Sequence, residues 1–262
     1  MSEPKKIGEV RHAIDGRTFK IVIDNVAKRN SFTPEMMQQL SEALTEFDRN
    51  DDLWVAVLCA EGDHFTAGLD MPKFFGPGAV ATPIPENNLD PFGLRNRSVK
   101  PIVTAVQGIT YTIGIEMMLA GDIVVAADTA RFCQMESRRG IAPLGGAHFR
   151  FLTRTGWGNA MYHLMLCDEF GAQRALEIGL VQEVVPAGTQ IDRALEIARL
   201  ISKNAPLGIR AMKQAALKYI EAGERSAVAA IATVRDQVMD SDDAKEGIRS
   251  FVERREARFE GK

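Results

Sequence analysis

The chain has few of the residues that would mark it as a disulfide-bonded or metal-binding protein. Its three cysteines, Cys59, Cys133 and Cys167, are widely spaced and form no C-x-x-C pattern. We therefore expect neither a disulfide framework nor a zinc site, and a reducing cytoplasm is the expected location. No two of the four histidines have the spacing of ligands on one helical face, so we expect no bound metal.

Long apolar runs and strong charge of one sign are also missing. Charged residues interrupt every apolar stretch before it reaches the roughly 20 residues of a membrane helix. The first ten residues contain neither an apolar core nor an arginine-rich pattern, so we expect no targeting peptide. The net charge is −3 and no basic run occurs. Neither a membrane nor a nucleic acid is therefore an expected partner.

Three common enzyme motifs are absent from the sequence. It contains no G-x-G-x-x-G and no Walker A pattern, which disfavours those two modes of nucleotide binding. It also contains no G-x-S-x-G elbow, which disfavours a serine hydrolase of that type.

The sequence does contain an alternation of strand-like and helix-like segments. Residues 17–26 have the composition of a strand, and three short apolar runs, 54–60, 101–106 and 122–127, are typical of strands buried on both faces. Helical patterns lie between them and continue from about residue 188 to the end. This order predicts an α/β fold with a largely parallel sheet. We divide it into a core, 1–195, and a helical C-terminal region, 196–262.

One segment, 74–96, interrupts this alternation. It contains four prolines and three glycines, too many for a long helix, and it is too long for a simple connection. Segments of this kind are often lids or binding loops. A loose surface loop explains the same composition equally well, so both interpretations stay open.

Two carboxylates lie in unusually apolar surroundings. Glu116 is the only charged residue between Lys100 and Asp122, early in a helix predicted to start near Thr112. Glu136 follows twenty residues later, after a short strand-like run. Buried carboxylates usually have a partner or an altered pKa. The two could form a general acid–base pair if the fold brings them together. The alternative for each is an ion pair or a helix-terminus role.

Two glycine-containing turns, 65–70 and 111–116, each follow a predicted strand and precede a predicted helix. Amide N–H groups at a helix N-terminus have no intrahelical partner, and two such ends could together bind a developing oxyanion. Turns of this kind also occur throughout α/β proteins without any catalytic role. His148, beside another glycine turn near Glu136 in the sequence GGAHFRF, is a further candidate base, although a surface or packing role is the commoner one for such a residue.

Taken in order, these segments resemble the crotonase, or enoyl-CoA hydratase/isomerase, superfamily. The match begins at VAKRNSFTPEMMQQL and continues through FTAGLD, KPIVTAVQG, GIEMMLAGDIVVAAD and RFCQMES. It resumes at FGAQRALEIGLVQEVVP and KNAPLGIRAMKQA and ends at SDDAKEGIRSFVERREARF. The resemblance implies a crotonase-like spiral of ββα units with a helical C-terminal trimerisation region, and hence a homotrimer or a dimer of trimers.

The resemblance also implies roles for individual residues. Glu116 and Glu136 occupy the places of the two catalytic glutamates, one of which activates water while the other handles the proton at Cα of an acyl-CoA thioester. The backbone amides of Leu69 and Ile113 match the oxyanion hole. The positions that match the binding site for coenzyme A are Lys28, Arg29, Ala67, Asp70, Met71, Phe251 and Arg254. Coenzyme A enters as part of the substrate, and no separate cofactor is expected.

Three positions depart from the family pattern. Ile113 and Leu144 stand where glycine is usual, and His148 replaces a small polar residue. Because a β-branched residue does not easily adopt positive φ, we expect ordinary backbone angles at Ile113. The leading prediction is an enoyl-CoA hydratase. The alternatives are a Δ3,Δ2-enoyl-CoA isomerase that uses Glu136 alone, a C–C hydrolase or decarboxylase that uses His148, and a non-catalytic scaffold that binds coenzyme A or RNA. The acyl group, whether fatty, aromatic or terpenoid, stays open.

Overall fold

The structure is a computed structural model that describes residues 8–79 and 82–262. In that part of the chain, the strands are β1 (Glu9–Asp15), β2 (Thr18–Asp24), β3 (Val55–Ala60), β4 (Ile102–Val106), β5 (Ile109–Tyr111), β6 (Ile123–Ala127), β7 (Arg131–Cys133), β8 (Phe170–Gly171) and β9 (Glu183–Val185). The helices are α1 (Pro34–Arg49), α2 (Met71–Phe75), α3 (Ile113–Ala120), α4 (Ala147–Leu166), α5 (Ala172–Glu177), α6 (Gln190–Ile201), α7 (Pro206–Met239) and α8 (Asp242–Glu253). The first seven residues, for which we expected no targeting pattern, lie outside the described residues.

The larger sheet has six strands in the order β1-β2-β3-β4-β6-β9. Every pair from β2 to β9 is parallel, and every residue of β3 is buried. The four strand predictions, which correspond to β2, β3, β4 and β6, are confirmed. Strand β1 pairs antiparallel with β2 through a tight turn at Gly16. Sequence reasoning missed β1 because the strand is mostly exposed and its residues are mostly polar.

A second, three-stranded sheet in the order β5-β7-β8 places the two candidate catalytic segments side by side. Strands β5 and β7 run parallel, with Thr110 opposite Phe132. Helix α3 follows β5, and Glu136 lies in a single 3₁₀ turn, Glu136–Arg139, shortly after β7. Because parallel neighbours end at the same edge, Glu116 and Glu136 leave this sheet in the same direction.

The described part of segment 74–96 is anchored along α1. Leu89 is buried; its backbone oxygen accepts a hydrogen bond from Ser41 Oγ at 2.6 Å, and its N–H donates to Thr45 Oγ1 at 2.8 Å. Arg49 donates to the backbone oxygen of Asn87. Asp90 holds the next turn by accepting from three following backbone N–H groups. The structure therefore supports a packed loop over a loose one for residues 87–96.

The C-terminal region is mainly helical, as predicted, and consists of α6, α7 and α8. Helix α6 packs its buried residues Ala194, Ile197 and Ala198 onto the larger sheet. The division at 195/196 falls inside this helix and stays a prediction. Helix α7 is interrupted at Gly223, where φ is 74° and ψ is 179°. None of the helices in the described ranges is long and apolar enough to cross a membrane.

Helix α1 offers a direct test of the local sequence rules. Thr33 Oγ1 accepts a hydrogen bond from the N–H of Met36 at 3.2 Å, as expected of an N-cap. Thr33→Ala is expected to lower the free energy of unfolding by about 1 kcal/mol, measured by urea denaturation at fixed protein concentration. Thr233→Ala, the same change at an exposed position inside α7, is the control and should change it by less than about 0.5 kcal/mol. Equal losses in the two variants would contradict the capping role.

Candidate active site

The carboxylate of Glu116 is buried against the N-terminus of α4. Its side chain is on α3, and the residue is 2% exposed. Its Oε1 accepts hydrogen bonds from the N–H groups of Gly145 at 2.7 Å and Ala147 at 3.2 Å. A Cβ at position 145 would clash with Glu116 Oε2 and with the Phe92 ring. Glycine is therefore required there, so that the backbone can approach the carboxylate this closely.

Burial and these contacts act in opposite directions on the pKa of Glu116. Burial raises the pKa above its ordinary value, and it is the largest effect. The two backbone N–H groups and the positive charges of His148 and Arg150 lower it. The helix-terminus role considered for Glu116 is thus real, and it stabilises the ionised form of a carboxylate that is otherwise desolvated.

Glu136 is held in a different environment. It is 8% exposed, and its Oε1 accepts a hydrogen bond from Gln134 Nε2 at 2.7 Å. Its Oε2 is buried and has no hydrogen-bond partner among the described residues. The pKa of Glu136 is raised to about 7, mainly by burial and also by the negative charge of Glu116, against the hydrogen bonds from its own N–H and from Gln134. A buried oxygen without a donor is the arrangement expected of a carboxyl group that holds a proton.

The fold places the two carboxyl groups at the same edge of the small sheet. Glu116 is on α3 and Glu136 is in the 3₁₀ turn, and these two elements follow the parallel neighbours β5 and β7. The negative charge of Glu116 accordingly acts on the pKa of Glu136. Because like charges disfavour double ionisation, the pair retains a proton at a pH where each carboxyl alone would lose it. Glu136 can therefore hold a proton near neutral pH, while the N–H contacts of Glu116 favour the ionised form of that carboxyl group.

The two predicted oxyanion turns lie against each other. The chain at Thr66 forms a parallel bridge with Thr110, and a Cβ at Gly68 would clash with Thr112 Oγ1. Leu69 forms a second parallel bridge, with Phe32. The N–H of Phe32 donates to the oxygen of Gly68, and the N–H of Asp70 donates to the oxygen of Phe32. The N–H of Leu69 therefore points away from that bridge.

Ile113 is the first residue of α3, so its N–H lacks an intrahelical acceptor. Its backbone angles are ordinary, as expected for a β-branched residue. The strain lies one residue earlier, at Thr112, with φ 50° and ψ −115°. That region strongly favours glycine, so a threonine there is costly.

One part of the sequence interpretation needs correction. We expected a helix N-terminus at each turn, with Leu69 in the first. Helix α2 begins only at Met71 and is five residues long, so Leu69 lies in an extended segment before it. Of the two predicted oxyanion turns, only the second has its donor at a helix N-terminus, that of α3, and the N–H at Leu69 is oriented by strand-like pairing.

Five of the residues matched to coenzyme A binding cluster beside the first turn. Lys28 Nζ and Asp70 form an ion pair at 2.8 Å, and the N–H of Ala67 donates to the oxygen of Arg29 at 2.9 Å. Lys28, Arg29 and Met71 are exposed. The exposed cations Lys28 and Arg29 are thus available to a phosphate-bearing ligand beside the turn.

Phe251 and Arg254 lie at the end of α8, which packs on α7. Phe251 is 85% exposed. The described residues show no contact of either side chain with the Lys28–Met71 cluster within one chain. A role for them in the site would therefore require a neighbouring copy of the chain.

Sequence reasoning missed two groups that organise the site. Arg150 is buried and donates to the backbone oxygens of Gly145 and Gly93, which joins α4 to segment 74–96. Gln134 is the donor to Glu136. Each lies between two apolar residues, Arg150 between Phe149 and Phe151 and Gln134 between Cys133 and Met135, and that signal could have singled them out. His148 has an exposed side chain, and its ring contacts the edge of Phe149.

Comparison with known proteins finds one family along nearly the whole chain. The model of the family described as enoyl-CoA hydratase/isomerase matches residues 14–262. An enoyl-CoA hydratase of Mycobacterium tuberculosis, EchA19, is 30% identical over 94% of this chain and 94% of its own length. A carnitinyl-CoA dehydratase of Escherichia coli K12 is 29% identical over 95% of this chain and 97% of its own.

Solved structures show the same fold. A probable enoyl-CoA hydratase/isomerase from Mycobacterium abscessus superposes with a TM-score of 0.92 at 39% identity, covering 97% of this chain and 98% of that one. An enoyl-CoA hydratase from Mycobacterium tuberculosis H37Rv gives a TM-score of 0.89 at 30% identity, covering 97% and 99%. The predicted crotonase-like α/β fold is confirmed.

The raised pKa of Glu136 predicts a pH-dependent stability. Between its ordinary value of 4.5 and about 7 the folded protein binds more protons at this carboxyl than the unfolded chain does. The free energy of unfolding should therefore fall as pH rises through this window. Glu136→Gln removes the titrating group. The decrease in the free energy of unfolding between about pH 5 and about pH 8 should then be smaller than in the wild type, by at most about 3 kcal/mol.

The measurement is urea denaturation at fixed protein concentration across that pH range. Glu177→Gln, at an exposed glutamate, is the control and should follow the wild-type pH dependence. A Glu136→Gln curve parallel to that of the wild type would show that Glu136 titrates with an ordinary pKa.

Proposed function

Because the chain belongs to the enoyl-CoA hydratase/isomerase family, we propose that it is a hydratase that adds water across the double bond of a 2-enoyl-CoA thioester. The observation that carries the proposal is the pair of buried, mutually interacting carboxyl groups at Glu116 and Glu136. Water addition needs one group to accept a proton and another to donate one. This pair offers both forms near neutral pH.

The thioester carbonyl binds at the N–H groups of Leu69 and Ile113. As water attacks Cβ, negative charge moves through the conjugated system onto the carbonyl oxygen. Two backbone donors fixed by the Phe32 bridge and by α3 need no reorganisation to stabilise that charge. A preorganised donor of this kind is worth about 2.7–4 kcal/mol in the transition state.

The different contacts of the two carboxyl groups support different roles, although burial raises the pKa of both. Glu116 is the base, because two N–H groups at the N-terminus of α4 stabilise its ionised form. Glu136 is the acid, because its pKa is raised to about 7 and its Oε2 has no donor among the described residues.

These roles give a balanced reaction. Glu116 takes a proton from water as the oxygen forms a bond to Cβ, and the C=C electrons move onto the thioester oxygen. The enolate then collapses as Glu136 gives its proton to Cα, which restores the carbonyl. The net change is one water added, and the proton now on Glu116 returns to Glu136 or to solvent before the next turnover.

Coenzyme A binds as part of the substrate, and no separate cofactor is needed for these steps. Lys28 and Arg29 meet its phosphates, and the backbone from Ala67 to Met71 surrounds the adenine. Phe251 and Arg254 reach coenzyme A from a neighbouring subunit in a homotrimer or a dimer of trimers. Exposed apolar side chains on α7 and α8, such as Ile231, Ile248 and Val252, support assembly through these helices.

One observation favours a second function. The carboxylate of Glu116 is already engaged by the N-terminus of α4, which is a sufficient structural reason for its presence. In that case Glu136 alone would shuttle a proton between two carbons, and the enzyme would be a Δ3,Δ2-enoyl-CoA isomerase. The effect of each glutamate on each reaction separates the two functions.

Glu116→Gln and Glu136→Gln are each expected to reduce kcat for hydration of a 2-enoyl-CoA at least about 10²-fold, the usual contribution of a general acid or base. Binding of the thioester should be retained, because neither carboxyl holds the coenzyme A moiety. The measurements are the loss of enoyl absorbance during hydration and calorimetric titration with a saturated acyl-CoA. The control Glu177→Gln should retain wild-type kcat.

A Glu116→Gln variant with near wild-type turnover would contradict the two-carboxyl mechanism. If that variant also isomerises a 3-enoyl-CoA, and Glu136→Gln does not, then the isomerase function replaces the proposal.

Ile113→Pro tests the backbone donor. Proline is favoured at the first position of a helix, where it removes the N–H that we assign to the oxyanion hole. We expect kcat to fall at least about 10²-fold relative to Ile113→Ala, which loses the same side chain but retains the N–H. Circular dichroism and acyl-CoA binding check that both variants fold. Equal kcat in two folded variants would remove Ile113 from the oxyanion hole.

A further inference from the structure

A cleft of about 940 Å³ lies between segment 74–96, the first turn of α4 and both halves of α7. This volume is within the range of small-molecule sites. Apolar side chains line much of it, among them Leu89, Leu94, Phe149, Leu217 and Ile220. The catalytic glutamates do not line it, so the cleft adds a space beyond the reacting atoms.

The charged groups in this cleft are predominantly positive. Arg95, Arg97 and Arg150 line it, together with Lys218, which pairs with Glu221 at 3.4 Å. Among the described residues, none of the three arginines forms an ion pair with a carboxylate. Arg150 donates to two backbone oxygens instead.

Arg97 is the most unusual of the three. Its Nε is buried and has no hydrogen-bond acceptor among the described residues. The carbon stem packs against Gly93, on the same loop. The pKa of Arg150 is lowered to about 10, mainly by burial and then by the positive charge of Arg97. The charge of Arg97 also acts to lower the pKa of Arg154 and of Lys213, for which burial is again the larger cause. Arg97 as a whole is only half-buried, but a guanidinium N–H that is buried without an acceptor is costly, and an anion would relieve that cost.

Arg150, which lines the cleft, is connected to the carboxylate of Glu116 through Gly145. Gly145 donates its N–H to Glu116, and its oxygen accepts from Arg150 Nη1 at 3.2 Å. Arg150 Nη2 in turn donates to Gly93, which lines the cleft. The Lys28–Met71 cluster is instead beside the oxyanion turn. An acyl chain whose carbonyl sits at that turn therefore has this cleft available beyond Glu116.

We infer that the acyl group of the substrate ends in a carboxylate, which Arg97 binds in this cleft while the chain lies along its apolar wall. This inference rests on the proposed function for the placement of the thioester, and it specifies the substrate class as ω-carboxyacyl-CoA. Arg97 is then a specificity-determining residue for the far end of the acyl chain. It takes no part in the proton transfers.

The test uses pairs of saturated acyl-CoA thioesters of equal chain length, one ending in a methyl group and the other in a carboxylate, over a series of lengths. Calorimetric Kd values need no turnover, so they report on the inference even if hydration fails. In the wild type we expect the carboxylate member to bind roughly tenfold or more tightly at the length that reaches Arg97, as for a charge-assisted hydrogen bond.

Arg97→Met should abolish that preference while leaving the Kd of the methyl-ended thioester within about twofold, and Arg97→Lys should keep part of it. Arg225→Met, at an exposed position on α7 outside the cleft, is the matched control and should behave as wild type. Equal wild-type affinity for both members at every length would overturn the inference, whether or not the variants fold. A folded Arg97→Met variant that still prefers the carboxylate-ended thioester would also overturn the inference. Hydration of a 2-enoyl-CoA is measured separately, and it tests the proposed function without testing the role of Arg97.

Discussion

The hydrogen bonds from the N-terminus of α4 to the carboxylate of Glu116 are the interaction on which the site depends. They join α3 to α4 and place a stabilised negative charge inside the protein. That charge raises the pKa of Glu136, a neighbour in space but not in sequence. The same α4 turn is tied to segment 74–96 through Arg150. One buried carboxylate is thus connected both to the second carboxyl group and to segment 74–96.

The backbone around the oxyanion turns follows a second constraint. Gly68 and Thr112 approach so closely that position 68 cannot carry a side chain, and Thr112 adopts angles that favour glycine. Strain of this kind persists only where surrounding structure enforces it. Here the Thr66–Thr110 bridge and the hydrogen bond from the Thr112 N–H to the oxygen of Cys133 do so. The backbone at the proposed donor site is thus fixed by contacts within the protein itself.

The sequence predicted the elements whose signals are local. The apolar runs at β3, β4 and β6 and the Thr33–Pro34 start of α1 are examples, since burial on both faces and helix capping leave direct traces in composition. Strand β1 and the α2 boundary escaped prediction because a polar edge strand and a five-residue helix leave little trace. The unpaired Arg97 and the role of Arg150 depend on contacts between distant segments, and no window of sequence contains them.

The central claim is that Glu116 and Glu136 share one proton near neutral pH. Carbon-13 NMR of carboxyl-labelled glutamate, with the Glu136 signal assigned by its loss in Glu136→Gln, measures this directly. The account predicts a Glu136 pKa of about 7 in the wild type and a lower value in Glu116→Gln, where the neighbouring charge is removed. A Glu136 pKa at its ordinary value, or one that Glu116→Gln leaves unchanged, would contradict it.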